Sequence, residues 1–418
     1  MPIALDLWLW LVAALYALGA LLTLRAHALV PDLPAASPED ASPLRSQRVG
    51  VVVAARNEAD RIGQTVEALA KQQGVELRVV VVDDRSEDAT SDAAQRAIDR
   101  AGAADRMRAL RVERLPPGWL GKCHALRRGV EELLRDEAVT RLLFMDADCV
   151  LTRHDAVARA LACAQRLEAD HLALLPALTA RSFLGKSTLL ALMVPLVRRC
   201  AAVNADRPRA TMGVGAFNLV DRRLYESFQG HHPLRLEVLD DVHLGSLVKR
   251  AGGRSRVRFA VDCARVDYAA SIPDMFRALE KNAFAALRYN LPAATALLSL
   301  LALVWTSGVF GFLTLRPAGF AATAACAATI VPALVAARRL RWSAAPALLA
   351  PYVVPLVLLA FAGSIVRTLR DGGVRWRETF YPLPELRRGM LQRASSPLHS
   401  PVAAHGQGPA PNQPERRR

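Results

Sequence analysis

The chain has 418 residues, 52% of them hydrophobic, and a mean hydropathy of +0.17. It is too apolar for an ordinary soluble enzyme and long enough for one large catalytic domain with further segments. Its formal charge of +15 is nearly all arginine, because lysine occurs only at 71, 122, 186, 249 and 281. Biased residue usage accounts for part of that excess. The arginines flank apolar segments without interleaved aromatic platforms, which suits a membrane surface and argues against nucleic acid as a partner. The cysteines at 123, 149, 163, 200, 263 and 326 form no C-x-x-C pair. That excludes the usual zinc spacings and fits reduced, buried thiols.

Residues 1–30 contain an apolar run over 3–24, broken only by Asp6. It is long enough to cross a hydrocarbon core of about 30 Å. Ala26-His27-Ala28 resembles a cleavage site, but no Lys or Arg precedes the run, so an uncleaved transmembrane anchor is predicted. Residues 31–48 read as a Pro/Ser/Ala-rich linker. From 49 to 268 apolar runs of strand length (49–55, 77–82, 141–146, 172–178) alternate with helical stretches (57–73, 88–102, 122–136, 154–168). That alternation predicts an α/β, Rossmann-like domain: a mainly parallel sheet with helices on both faces.

Residues 269–292 form an amphipathic stretch, predicted as an interfacial helix with Arg277, Lys281 and Arg288 on a basic face. Apolar segments near 293–314, 318–337 and 344–366 fill a C-terminal transmembrane region, 293–367. A basic juxtamembrane segment (368–392) and a disordered tail (393–418) follow. Arg25, Arg45 and Arg48 place the catalytic domain in the cytoplasm. Three full spans would then leave the basic 367–393 segment outside, against positive-inside bias, so one stretch is expected to be re-entrant. Pro346, Pro351 and Pro355 single out 344–366.

The chemistry-bearing residues lie at strand ends, where open α/β sheets bind ligands. Val51–Glu58 runs from a strand into a polar turn with Asn57 and Glu58; Asn57 also reads as a helix N-cap. Asp83 and Asp84 end a second strand, and Asp146-Ala-Asp148 ends another. Like charges gathered there repel, and a divalent cation on a diphosphate would offset the repulsion. Gly121-Lys122 opens a helix, where a lysine is electrostatically misplaced unless an anion is near. A glycine-bearing turn holds Gly213, Gly215 and Phe217, and Asp240-Asp241 begins an amphipathic helix ended by Gly252-Gly253. The turn after the first strand lacks G-x-G-x-x-G, which excludes a dinucleotide-dependent oxidoreductase.

In this order the motifs resemble the family 2 glycosyltransferases, over about 50–290. The resemblance implies the GT-A fold, with transmembrane helices at both ends of the chain. It also implies an integral inner (plasma) membrane enzyme of metal-dependent hexosyltransferase type. By that likeness Asn57, Glu58, Asp83, Asp84, Lys122 and Asp146 face the nucleotide-sugar donor. Asp148 with Asp146 holds Mg²⁺ or Mn²⁺, Gly213, Gly215 and Phe217 form the acceptor side, and Asp241, beside Asp240, is the catalytic base. The implied reaction is inverting transfer to a membrane lipid or lipid-linked hydroxyl. The alternative is a non-catalytic membrane scaffold or lipid-binding subunit. Where processive members carry Q-x-x-R-W, this chain reads Glu280-Lys-Asn-Ala-Phe-Ala-Ala-Leu-Arg288, which argues against polysaccharide synthesis. Val374–Tyr381 resembles a W-R-x-x-x-Y segment of lipid-directed relatives, including carotenoid and hopanoid types, and its arginines suit a diphosphate or anionic lipid head groups.

Overall fold

A computed structural model describes residues 2–37, 47–269 and 271–391. The first helix, α1 (Pro2–Leu29), is apolar on every side and long enough to cross a bilayer. The α/β region then begins with β1 (Arg48–Ala55), α2 (Ile62–Ala70), β2 (Glu76–Asp84), α3 (Thr90–Arg100) and β3 (Met107–Val112). It continues through α4 (Gly121–Leu133), β4 (Val139–Asp146), β5 (Cys149–Leu151), α5 (Ala156–Arg166), β6 (His171–Ala180) and α6 (Phe183–Asn204). It closes with β7 (Asn218–Asp221), α7 (Arg222–Ser227), α8 (Asp240–Arg250) and β8 (Ser255–Ala269).

The eight strands form one sheet in the order β3-β2-β1-β4-β7-β6-β8-β5. The pairs β1–β2, β1–β4, β2–β3 and β6–β8 are parallel, while β7 runs antiparallel to β4 and β6, and β5 to β8. The sheet is thus mainly parallel and mixed, as predicted. β1 is buried on both faces, which is why Val49–Ala55 reads as a run without polar side chains. Val49, Val51 and Val53 face Ile62, Val66, Ile98, Val157 and Leu161 from α2, α3 and α5. Val52, Val80 and Val82 face Leu126, Val130, Leu244 and Leu247 from α4 and α8. Each such side chain fully removed from water stabilises the fold by roughly 1.5–3 kcal/mol. Register pairs Ala55 with Asp83 and Ala54 with Asp146, so the acidic ends of β2 and β4 reach the same edge.

Several elements differ from the sequence reading. α2 starts at Ile62 rather than 57, because Asn57 takes a left-handed φ of 52° and the chain turns before the helix begins. β3 and β8 carry arginines among their apolar residues, which masked their period. α6 was not foreseen; it is apolar enough to cross a bilayer, but half of its most apolar window is buried within the protein, against α1 and β8. Residues 31–37 of the linker are docked: Leu33 N–H donates to the Phe259 carbonyl at 2.6 Å, and Arg159 donates to the carbonyls of Leu33 and Pro34. Residues 38–46 and 393–418 lie outside the described residues.

Beyond the sheet come α9 (Ile272–Ala286), α10 (Leu291–Phe310), α11 (Pro317–Ala328), α12 (Ile330–Arg339), α13 (Ala345–Leu349) and α14 (Val354–Arg370). The hairpin β9 (Gly373–Trp376) and β10 (Thr379–Pro382) follows, then α15 (Leu383–Gly389). Leu291–Thr314 and Pro317–Arg339 are each long and apolar enough to cross a membrane. Asp6 of α1 pairs with Arg316 at 2.6 Å, and Trp8 Nε1 donates to Ser307 Oγ at 2.9 Å. At the opposite end of the bundle Arg339 donates to the Val30 carbonyl, beside the sheet. α1 and α11–α12 therefore run the same way, with α10 against them.

The stretch singled out by its prolines is broken: Ala345–Tyr352 and Val354–Arg370 meet at a bend of 57°. Prolines at 346, 351 and 355 leave carbonyls without helical donors and cause such breaks. The bent pair leaves the sheet side at Arg339 and returns to it at β9, so the arginines after α14 lie on the same side as the sheet. α9 is sandwiched rather than spread on a surface. Ser364 Oγ accepts from Phe284 N–H at 3.1 Å, Arg367 pairs with Glu280 at 2.7 Å, and Lys281 turns toward the strand ends.

His171, fully buried at the β6–β7–β8 junction, lies 3.1 Å from Ser255 Oγ and 3.2 Å from Asn218 Oδ1. Burial pushes its pKa down to about 4, against the Asn218 contact. The unfolded chain therefore binds a proton that the folded one refuses between about pH 6.5 and pH 4, and stability falls as pH drops through that window. H171Q should flatten the pH dependence of Tm there by about one proton's worth, ~1.4 kcal/mol per pH unit. An unchanged slope in detergent-solubilised protein would refute this assignment.

Candidate functional site

Three acidic segments converge at the carboxyl edge of the sheet. After β1, Arg56 and Glu58 face the edge, held by the turn at Asn57. Asn57 N–H donates to Ser86 Oγ at 3.0 Å and Glu58 N–H to Thr90 Oγ1 at 2.8 Å, tying this turn to the loop after β2. Asp84 accepts two bonds from Arg85, at 2.8 and 3.1 Å. A Cβ on Gly121 would lie 2.0 Å from Asp84 Oδ2, so only glycine lets the start of α4 approach so closely.

Lys122 joins the acidic groups. Its Nζ lies 2.7 Å from Asp146 Oδ1 and 3.6 Å from Asp240 Oδ1. Burial opposes its charge, but Asp146, Asp240 and Asp241 prevail and hold it well above the ordinary lysine range. Burial likewise works against the Asp146 carboxylate, yet Lys122, Lys281 and Arg377 keep it below its ordinary range. Asp148 is pushed up to about 6 by burial and by Asp146 and Glu58, against Arg61. Asp240 is pushed up to about 6 by burial, against Lys122, with Asp241 and Asp146 adding to the rise.

Asp241 lies in the first turn of α8 and is held at both oxygens. Oδ2 accepts from Gly215 N–H at 2.8 Å and Oδ1 from Val242 N–H at 2.8 Å. Burial raises its pKa and Asp146 adds to that, against Lys122 and the two N–H donors. The glycine turn fits these carboxylates closely. A Cβ on Gly215 would lie 2.4 Å from Asp146 Oδ2, and one on Gly213 1.8 Å from the Asp241 carbonyl oxygen. Gly213 and Gly215 therefore bring their backbones up against the Asp241 main chain and the Asp146 carboxylate.

Two cavities meet at these residues. A polar one of about 200 Å³ is lined by Arg56, Glu58, Asp84, Gly121, Lys122 and Trp376, among others. An apolar one of about 430 Å³ runs from Gly213, Gly215 and Asp241 along Leu175, Leu189, Met193, Leu196 and Phe259. Lys122, Asp146, Asp148 and Lys281 line both. Lys281 Nζ sits 4.0 Å from the centre of the Trp376 ring, a cation–π contact. Burial and Lys122 push its pKa down, against Asp146, Asp240 and Asp241.

The β9–β10 hairpin walls the polar cavity. Its two-residue turn places Arg377 at a φ of 52°, and Arg377 donates to Glu58. Arg56 bonds Glu378 at 3.1 Å and Thr379 Oγ1 at 2.9 Å, while Tyr381 OH accepts from Gly121 N–H at 3.0 Å. The segment read as juxtamembrane thus supplies Trp376, Arg377 and Tyr381 to the cavity.

Of the sequence candidates, Glu58, Asp84, Lys122, Asp146, Asp148, Asp240, Asp241, Gly213 and Gly215 line one or both cavities. Asn57, Asp83 and Phe217 line neither. Asn57 Oδ1 accepts from Glu87 N–H and its Nδ2 donates to Glu378. Asp83 Oδ1 accepts from Ser86 N–H at 3.0 Å and closes that turn, and Phe217 is wholly buried in the core. Sequence reasoning placed Lys281 on a membrane-facing surface and passed over Arg56. The available signal for Lys281 was its rarity: in a chain that otherwise uses arginine, two of its five lysines lie here.

Among the described residues no three His, Cys, Asp or Glu side chains form a self-sufficient metal site. Asp146 and Asp148 nonetheless fit a Mg²⁺-type ion, which takes one or two carboxylates and completes its shell with substrate phosphates and water. Burial first, and then repulsion from Asp146 and Glu58, push Asp148 up to about 6, and a cation there would offset both.

The family model described as "Glycosyltransferase like family 2" matches residues 46–285, more than half of the chain. The 4,4'-diaponeurosporenoate glycosyltransferases of two Staphylococcus aureus strains, MRSA252 and bovine RF122 / ET3-1, are 28% and 27% identical over 203 residues. Each match covers 47% of this chain and 50% of the relative, so the chain spans about half the length of the curated relatives it matches. A mannosyltransferase from Pyrobaculum calidifontis, solved with GDP-Man and Mn²⁺, superposes with a TM-score of 0.51 at 21% identity. That likeness covers 88% of this chain and 99% of the neighbour and concerns the fold. With its mixed sheet, acidic strand ends and motif order, the chain belongs to glycosyltransferase family 2 and has the GT-A fold.

Proposed function

We propose that the protein is a membrane-embedded, inverting glycosyltransferase that moves a sugar from a nucleotide-sugar donor to a hydroxyl of a lipid or lipid-linked acceptor. The observation that carries this reading is the junction of a polar and an apolar cavity at Lys122, Asp146, Asp148 and Lys281. A charged donor suits the first cavity and a greasy acceptor the second. The name of the Staphylococcus aureus relatives, for transfer to diaponeurosporenoate, supports a lipid-like acceptor. The helices that share an end with the sheet support a site held at the bilayer surface, with the arginine-rich flanks on the cytoplasmic side.

In this reading Asp148 and Asp146 hold Mg²⁺ or Mn²⁺ against the donor diphosphate, where it supplies charge neutralisation for the departing nucleotide. Lys122 and Lys281 add fixed positive charge at the same place. Arg56, Arg377 and Asp84 hold the rest of the donor under the hairpin. Asp241 takes the proton of the acceptor hydroxyl as that oxygen bonds to the anomeric carbon, and the bond from that carbon to the diphosphate oxygen breaks on the opposite face. Burial of Asp241 raises its basicity, and the N–H groups of Gly215 and Val242 fix its aim.

D241N should retain donor binding and lose transfer by about 10²–10⁴-fold, the usual contribution of a general base. Wild-type turnover in D241N would refute the base assignment. D148A should instead weaken donor affinity in Mg²⁺ or Mn²⁺, measured by calorimetry, while unchanged affinity would count against a metal ligand. K281M should lower kcat by roughly 10²-fold with little change in donor KM, and K281R should recover part of the loss. A K281M loss confined to KM would reduce Lys281 to a donor-binding group.

A further inference from the structure

A third cavity, of about 430 Å³, lies away from the site, lined by Asp32, Leu33, Val261, Asp262, Arg338, Arg339 and Arg341. We infer that it binds the phosphate of an anionic phospholipid head group. Asp262 is already engaged by Arg159 at 2.9 Å, so among the described residues lining the cavity Asp32 is the remaining carboxylate against three guanidinium groups. Arg339 is fixed, donating to the Val30 carbonyl with its guanidinium 4.6 Å from the centre of the Phe259 ring. Arg338 and Arg341 are exposed, and among the described residues neither side chain has a hydrogen-bond or ion-pair partner. Arg341 holds a φ of 58°, a left-handed position usually given to glycine at a helix end. Arginine there forgoes the easier residue and sets a third guanidinium at the cavity.

Location identifies the anion. α1 ends at Leu29 and α12 at Arg339, so both helices finish at this cavity. Leu21, Leu29, Val331 and Leu348 on the adjoining helices are large apolar side chains left exposed. The apolar belt therefore meets the arginine cluster here, at the depth where lipid phosphates lie. Attraction of arginines to the negative end of α12 accounts for basic residues at a helix terminus. It does not account for a cavity between the helix end and residues 32–33 and 261–262. Guanidinium groups bind phosphate oxygens in pairs, and phosphate is the anion that a lipid surface presents at this depth.

The inference rests on the reading that α1 and α10–α12 span a bilayer. The test uses the full chain, purified in detergent, stripped of lipid and offered phosphatidylglycerol, phosphatidylcholine or inorganic phosphate alone, with retained ligand counted by native mass spectrometry. Wild type should retain phosphatidylglycerol in preference to phosphatidylcholine. R338Q/R341Q should lose roughly thirtyfold in phosphatidylglycerol affinity while keeping transfer activity in neutral detergent. R338K/R341K, which preserves charge, should retain part of the preference and controls for folding. Equal retention by wild type and R338Q/R341Q would overturn the inference. Retention of inorganic phosphate without preference for phosphatidylglycerol would overturn the head-group assignment. Release of the chain from membranes by alkaline carbonate without detergent would instead overturn the spanning reading, and the inference with it.

Discussion

The contact on which the site depends is the ion pair between Lys122 and Asp146 at 2.7 Å, extended to Asp240 at 3.6 Å. Without it, carboxylates from the end of β4 and the start of α8 would face one another across a partly dry cleft. Removing one partner from such a group leaves uncompensated charge, which costs far more than the pair itself contributes. The pair also separates the two acids of the β4 end. Asp146 is held by Lys122 in the structure, whereas Asp148 is buried near Asp146 and Glu58 with only the weaker counter-charge of Arg61. Asp146 would therefore share any cation held at Asp148 with Lys122, which already lies beside it.

The membrane-flanking segments belong to the site rather than merely anchoring it. α9 carries Lys281 between the two cavities, and α14 grips α9 through Ser364 and Arg367. The hairpin that follows α14 closes over the strand ends through Arg56, Glu58 and Gly121. The bend at Val353 makes this possible, because a straight helix there would deliver the hairpin to the far side of the bundle.

What the sequence disclosed follows from what each residue answers to. Buried parallel strands require apolar runs, so β1, β2, β4 and β6 were legible, and so were the acids that end them. The first turn of α8 was legible because Asp240-Asp241 precedes an apolar face with its own stop signal. β8 was not, because arginines interrupt its run, nor was α6, whose apolar surface is shared between the sheet and other helices. Asn57 and Asp83 read as ligands because a polar turn bonded to its neighbour has the same composition as one that faces a substrate. Lys281 was misplaced because helical spacing gives the face a residue shares with its neighbours, not what the face meets.

The order in which the chain is made gives the hairpin another significance. Residues 54–148 supply the floor of the polar cavity, but Trp376, Arg377 and Tyr381 come after every apolar helix. During synthesis the α/β region would emerge with its polar cleft open on one side. Only after α10 to α14 does the chain supply the hairpin that completes the wall. Assembly of the cleft thus waits on the whole apolar helical region, and a fragment confined to residues 46–285 would keep the acids but lack the wall above them.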